Sequence, residues 1–186
     1  DIHPTAIIGD NVVLGSDNYI GPYCYFTGGV EVGNNNRFEA YCSIGSRAEH
    51  TEYWDKEGRT LIGSGGVFRE FITINKAYVA HDCVIEDGVT LSCGVKIGGH
   101  VHVMRDSNLG MGAAVHQYQV IGSWSMIGMG TIVPKKAKIY PGQTWVGNPV
   151  HRLKTNMYAA NKFNVGEFAM LEETARYKEL VKAHDI

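Results

Sequence analysis

Neither charge sign dominates this chain: 17 lysines and arginines face 19 aspartates and glutamates, a net charge of −2 over 186 residues. With no basic stripe and no interleaved aromatics, nucleic acid is an unsuitable partner. The chain also lacks an apolar run long enough for a membrane span or a secretion leader, and it enters patterned sequence directly at Ile2, so a cytoplasmic protein is expected. Its four cysteines show no metal-ligand spacing. Cys24, Cys42 and Cys83 fall at a repeat position expected to point inward, as small buried thiols suited to a reducing compartment. There is no serine nucleophile elbow and no Walker loop.

What the chain does have is a period of six. An aliphatic residue recurs at every sixth position from Val79 through Ile85, Leu91, Ile97, Val103 and Leu109 to Ile139. The same beat runs earlier through Ile8, Leu14, Ile20, Phe26, Val32, Phe38 and Ile44, resumes at Ile62, Phe68 and Ile74, and then steps by five to Val79. Neither an α-helix nor a simple alternating strand has this period. It specifies an all-β solenoid, a parallel β-helix in which each six-residue rung is a short strand plus a corner. Positions one and five of each rung are expected to point inward. Asn, Asp and Gly at the bends tolerate tight or positive-φ corners. Three rungs make one triangular coil, so residues eighteen apart should stack.

Two segments leave the beat. Residues 46–61 form a polar, aromatic-bearing excursion, and a loop of that length in a regular solenoid is usually functional. After about Thr155 the hexads stop, and Gly166–Asp185 reads as an amphipathic helix with Phe168, Leu171, Ala175 and Leu180 on one side. The expected organisation is a β-helix over 1–150 and a short α-helical extension over 151–186. The helix is expected to cap the open end of the coil, with substrate contact as the alternative.

Counting rungs by three from Val79 places His81, His100, His102 and His116 on one face, with Asp82 beside His81 and Gln117 beside His116. A neutral imidazole takes a proton from an attacking hydroxyl or amine, and a nearby carboxylate steadies the cation that forms. The Gly98-Gly99-His100 step offers bare backbone N–H groups for a developing oxyanion, or is simply a corner. The same histidines would equally line a subunit contact. They lack the close pairing that a zinc site needs, so no metal is expected.

Three segments resemble the UDP-N-acetylglucosamine acyltransferases of lipid A biosynthesis, within the hexapeptide acyltransferases: IHPTAIIGDNVVLGSDNYIGPYC, VAHDCVIEDGVTLSCGVKIGGHVHV and GMGAAVHQYQVIGSWSMIGMG. The resemblance covers most of residues 2–150. It implies a left-handed coil, a homotrimer with sites between subunits, His81 as general base supported by Asp82, and Gly99 as the oxyanion donor. It places His100, His116 and Gln117 at the sugar nucleotide or the acyl donor. Asn75 and Tyr78 fall where the family tends to have histidines, and His50 and Glu52 where it has an aspartate and a lysine that contact substrate.

The donor implied is a phosphopantetheine thioester on acyl carrier protein, with no tightly bound cofactor. Lys135, Lys136 and Lys138 are candidates to receive such an acidic partner, or form a solvated patch. Met129 falls at the far end of the family's hydrocarbon groove, with Met111 below it and Trp124 nearby. Methionine there fills space that glycine leaves open, so a short or medium acyl chain is expected; packing at a subunit interface is the alternative. Three other readings remain: acyl-CoA-dependent transfer to another nucleotide sugar or small acceptor, a zinc hydratase of the γ-carbonic anhydrase type, and a non-catalytic scaffold trimer.

Overall fold

The computed structural model describes residues 1–46, 59–75 and 83–183. Its strands form three sheets of seven, six and eight strands, parallel except for the last strand of the third, and as far as Ile132–Val133 each successive strand passes to the next sheet. The chain therefore winds round a three-sided coil. The first face includes Ser43–Ser46, Thr73–Asn75, Lys96–Ile97 and Ala114–Val115. The second includes Arg59–Ile62, Cys83–Ile85, His102–Val103 and Val120–Ile121, and the third includes Asn108–Leu109 and Met126–Ile127. Eighteen-residue stacking is met where the hexads are regular: Ile97 pairs with Val115, Val115 with Val133, and Leu109 with Ile127.

The core is the stack of inward positions one and five. Ile20, Phe26, Phe38, Ile44, Phe68, Ile74, Leu91 and Val103 are fully buried, as are Val30, Val89, Val95 and Val101 at the bends. Phe38 stacks on Phe68 at 4.3 Å between ring centroids and meets Phe26 edge-on at 4.9 Å. The three sheets share one continuous apolar interior, so each coil buries its apolar side only by stacking on its neighbours.

The corners explain how short strands turn so sharply. Each carries a ladder of left-handed residues at the coil period. Between the second and third faces these are Asp17, Asn35, Gly65, Gly88, Asp106, Trp124 and Gly142. Between the third and first they are Tyr23, Tyr41, Phe71, Gly94, Gly112 and Gly130; between the first and second, His100, Tyr118 and Lys136 are in the same conformation. Asn, Asp and Gly were the expected occupants. The aromatics adopt a conformation that bulky residues rarely take, and they repay it by stacking: Tyr23, Tyr41 and Phe71 form a ladder at 5.2 and 5.1 Å.

Three expectations need correction. Ile97 rests on Ile74, not on a rung at Val79, so the coil is entered 23 residues earlier instead of eighteen. The five additional residues fall between Ile74 and Ile85 in the sequence, since Ile97 to Val103 in the next coil spans only six positions. The excursion is shorter than 46–61, because Ser46 ends one strand and Arg59–Ile62 is the next. Finally, the C-terminal helix does not lie across the end of the coil. After the antiparallel strand His151–Thr155 and helix α1 (Met157–Lys162), helix α2 (Glu167–Ala183) packs on the flank of the second face. Its buried side is Tyr177, Leu180 and Val181 against Met104 and Val120, whereas Phe168 and Leu171 are exposed. The ion pairs described below select that side over the more apolar one.

Candidate active site

Both irregularities of the coil use one corner. The chain leaves the first face at Ser46 and rejoins the second at Arg59; it leaves again at Asn75 and rejoins at Cys83. Gly99, His100, His116 and Gln117 occupy the same corner in the next two coils. His81, Asp82, Tyr78, His50 and Glu52 lie outside the described residues, as does the side chain of Asn75, which ends the strand Thr73–Asn75. The described strand ends that flank these segments, Ser46, Arg59, Asn75 and Cys83, lie at the corner that carries His100 and His116 in the following coils.

At that edge the His100 ring stacks on Tyr118 with centroids 4.4 Å apart and planes 6° from parallel. The Tyr118 N–H donates to the Gly99 carbonyl at 2.9 Å, which ties the two coils at the corner. Tyr118 is eighteen residues beyond His100, so the sequence period could have identified it. Gly98 is required: a Cβ there would lie 2.7 Å from the Gln117 backbone nitrogen. Gly99 itself is buried, His100 and Gln117 are half-buried, and His116 is exposed. His116 Nδ1 lies 3.0 Å from the Gln117 carbonyl, an oxygen that only accepts, so Nδ1 is the donor and the neutral ring presents Nε2 as its acceptor.

His102 does not join this group. It begins the strand His102–Val103 on the second face, where it is nearly buried and bonds Glu86 through Nε2. Met111 and Met129 are exposed at the opposite edge of the first face and are linked by the Gly130 N–H to the Met111 carbonyl at 2.8 Å. Trp124 is apart from both, buried at the corner between the second and third faces under the Arg105 guanidinium. Within the chain, the three groove candidates thus occupy two corners, neither of which is the His100 corner.

A second polar cluster, which no local pattern in the sequence signals, is built on the second face by α2. Glu86 accepts from both Nη atoms of Arg176, from His102, and from the Arg105 backbone N–H at 3.0 Å. Glu173 accepts from Ser123 at 2.7 Å and pairs with Arg105 at 2.8 Å and Arg176 at 3.2 Å. Burial raises the Glu86 carboxyl's proton affinity, but the hydrogen bonds from His102 and Arg176 outweigh it and hold the pKa at about 2. A carboxyl more acidic folded than unfolded stabilises the fold fully above its ordinary value near 4.5, and that contribution drains as pH falls toward 2. The melting temperature should therefore drop between about pH 5 and pH 2, and Glu86→Gln should flatten that drop. An equally steep drop in the variant would remove Glu86 as its source.

Among the described residues no group of three or more His, Cys, Asp or Glu side chains is placed to hold a metal ion, and no helix is long and apolar enough to cross a membrane. Residues 11–46 match the family described as bacterial transferase hexapeptide (six repeats). This is a hexapeptide-repeat protein. The repeat chain is 27% identical over 176 residues to an acyl-[acyl-carrier-protein]–UDP-N-acetylglucosamine O-acyltransferase of Gloeothece citriformis, covering 84% of this chain and 63% of that one. It is 32% identical over 165 residues to the protein of the same name from Paraburkholderia phymatum, covering 68% and 63%. It thus spans a little under two thirds of the length of these two relatives, both named as acyltransferases. Among solved structures it resembles LpxA from Acinetobacter baumannii, with a TM-score of 0.62 and 23% identity over 95% of this chain and 83% of that one, a likeness of fold.

Proposed function

We propose that this hexapeptide-repeat chain is an acyltransferase that moves a short or medium 3-hydroxyacyl chain from a phosphopantetheine thioester to a hydroxyl of a UDP-N-acetylglucosamine-like acceptor. The observation that carries the reading is the shared corner: both irregular segments of the coil start and end where Gly99, His100, His116 and Gln117 are gathered. The names of the relatives supply the substrate class. The reading includes a left-handed winding of the coil and a cytoplasmic location. The cysteines of the described residues, all free thiols, suit the latter.

In the proposed reaction His81 takes the proton of the acceptor hydroxyl as its oxygen attacks the thioester carbonyl, and Asp82 steadies the imidazolium. The Gly99 N–H receives the oxyanion; this corner amide has no acceptor among the described residues. When the tetrahedral intermediate collapses, the C–S bond breaks and the imidazolium returns its proton to the pantetheine sulfur. No covalent enzyme intermediate forms. His100, His116 and Gln117 hold the nucleotide sugar or the donor. Asn75, Tyr78, His50 and Glu52 complete the acceptor side, and Glu52 puts a negative charge near the diphosphate.

The homotrimer belongs to the proposal for a geometric reason. The methionine edge and the His100 edge flank the first face of one protomer, so a groove joining them has to be assembled between subunits. Lys135, Lys136 and Lys138 are exposed above the same corner and suit an acidic carrier protein. Competition among 3-hydroxyacyl carrier proteins of graded length, read from product masses, tests donor and chain length together. The wild type should prefer short or medium chains, and Met129→Gly should shift the preference by two or more carbons toward longer ones. Unchanged preference would remove Met129 from the groove. Faster transfer from acyl-CoA than from any carrier protein would favour the second reading, CoA-dependent transfer to another acceptor.

A further inference from the structure

Helix α2 is joined to the candidate site by a chain of polar contacts. Arg176 grips Glu86 with both Nη atoms, one on each carboxylate oxygen. This forked geometry fixes direction as well as distance. Glu86 then spans the strand His102–Val103: its carboxylate takes the His102 ring at the start of the strand and the Arg105 N–H just beyond its end, at 3.0 Å. That strand begins two residues after His100. His100 is held at φ +56, a conformation that persists only where its surroundings over-determine it. Tyr118 constrains it from the coil above by stacking, and His102 anchors the chain that leaves it.

We propose that Arg176, Glu86 and His102 act as a positioning relay through which the C-terminal helix sets the orientation of the His100 corner. The role in catalysis rests on the acyl-transfer reading; the orientation itself does not. Other groups facing the relay brace it. Glu173 pairs with both Arg176 and Arg105, and Ser123 donates to Glu173, so the guanidinium is fixed on both sides. Its inner end is shielded: the His102 and Glu86 side chains retain 11% and 14% of their exposure, so water competes poorly for their hydrogen bond, whereas the Arg176 side chain keeps 42%. None of the three residues reaches the reacting atoms in the proposed chemistry. They are positioning residues, not catalytic ones.

Arg176→Ala breaks the fork without substituting His100, Tyr118 or Gly99. Because His100 lies face-on to Tyr118, its Cε1–Hε1 resonance carries a ring-current shift that reports the stack directly. In the variant that resonance is expected to move toward the position of a free histidine, with those of His3 and His151 unmoved. Turnover should fall roughly tenfold, and Arg176→Lys should recover part of both effects. Glu86→Gln, which keeps shape while losing charge, provides the same readouts if Arg176→Ala fails to fold. A folded variant whose His100 resonance stays in place overturns the proposal, even if its melting temperature falls, because the contacts would then only fasten the helix. A wild type inactive with every acceptor tried would count against the acyl-transfer reading, and the His100 resonance would still decide the positioning.

Discussion

Replacing His81 with alanine is expected to slow acyl transfer roughly 10²–10⁴-fold, the usual contribution of a positioned general base. A sugar hydroxyl is a poor nucleophile at neutral pH unless its proton is removed as the C–O bond forms. The sequence has no serine nucleophile elbow to offer a covalent route round that step. The loss should appear in kcat and persist at saturating acceptor, since the imidazole acts in the transition state. The proposed role of the imidazole is on the substrate and not in the fold, so the melting temperature should be preserved. Steady-state kinetics beside a thermal melt would check both. Full activity in a folded His81→Ala protein would reassign the base, and His116, with Nε2 presented from its exposed ring, would be the next residue to replace.

The largest expected effect on stability is at Phe38. Its ring is fully buried and touches aromatics in the coils on either side, stacked on Phe68 and edge-on to Phe26. Phe38→Ala removes both contacts and leaves a cavity in a stack that cannot slide closed, because each rung is fixed by parallel hydrogen bonds to its neighbours. A cost of about 3–5 kcal/mol is expected, read as a lowered urea midpoint. Since a solenoid is stabilised rung by rung, hydrogen exchange should quicken most in the coils around Phe26, Phe38 and Phe68. The corner at Gly99 and His100 should keep more of its protection. An unchanged midpoint would mean that the aromatic stack contributes little.

How much of this was legible in the sequence depended on whether the signal was periodic. The hexads specify the rung, the inward positions and the eighteen-residue stack, and Ile97 on Val115 and Leu109 on Ile127 follow from counting. Counting failed where residues are inserted at a corner. The five-residue step after Ile74 reads as one short rung ending at Val79, but the sheet register makes Ile74 itself the partner of Ile97. His102 leaves the histidine group for a reason of its own: like Lys96 and Val120, it is the sixth residue of its hexad and opens the next strand. Helix α2 was misjudged for a different reason. Its apolar side suggests burial of Phe168 and Leu171, yet the helix turns toward Glu86 and Arg105 because Glu173 and Arg176 find opposite charges there. Long-range ion pairs of this kind carry no local pattern. The Tyr118 stack on His100 was accessible from the period alone; Arg176, ninety residues beyond Glu86, was not.

The central claim is that the corner carrying His100 and His116 serves acyl transfer to a nucleotide sugar. Its most direct test is mass spectrometry of UDP-N-acetylglucosamine after incubation with the protein and a mixture of 3-hydroxyacyl carrier proteins. A nucleotide sugar heavier by one 3-hydroxyacyl group, formed by the wild type and lost with His81→Ala, is the predicted result. An unmodified acceptor, recovered from folded protein that leaves every thioester intact, would contradict it.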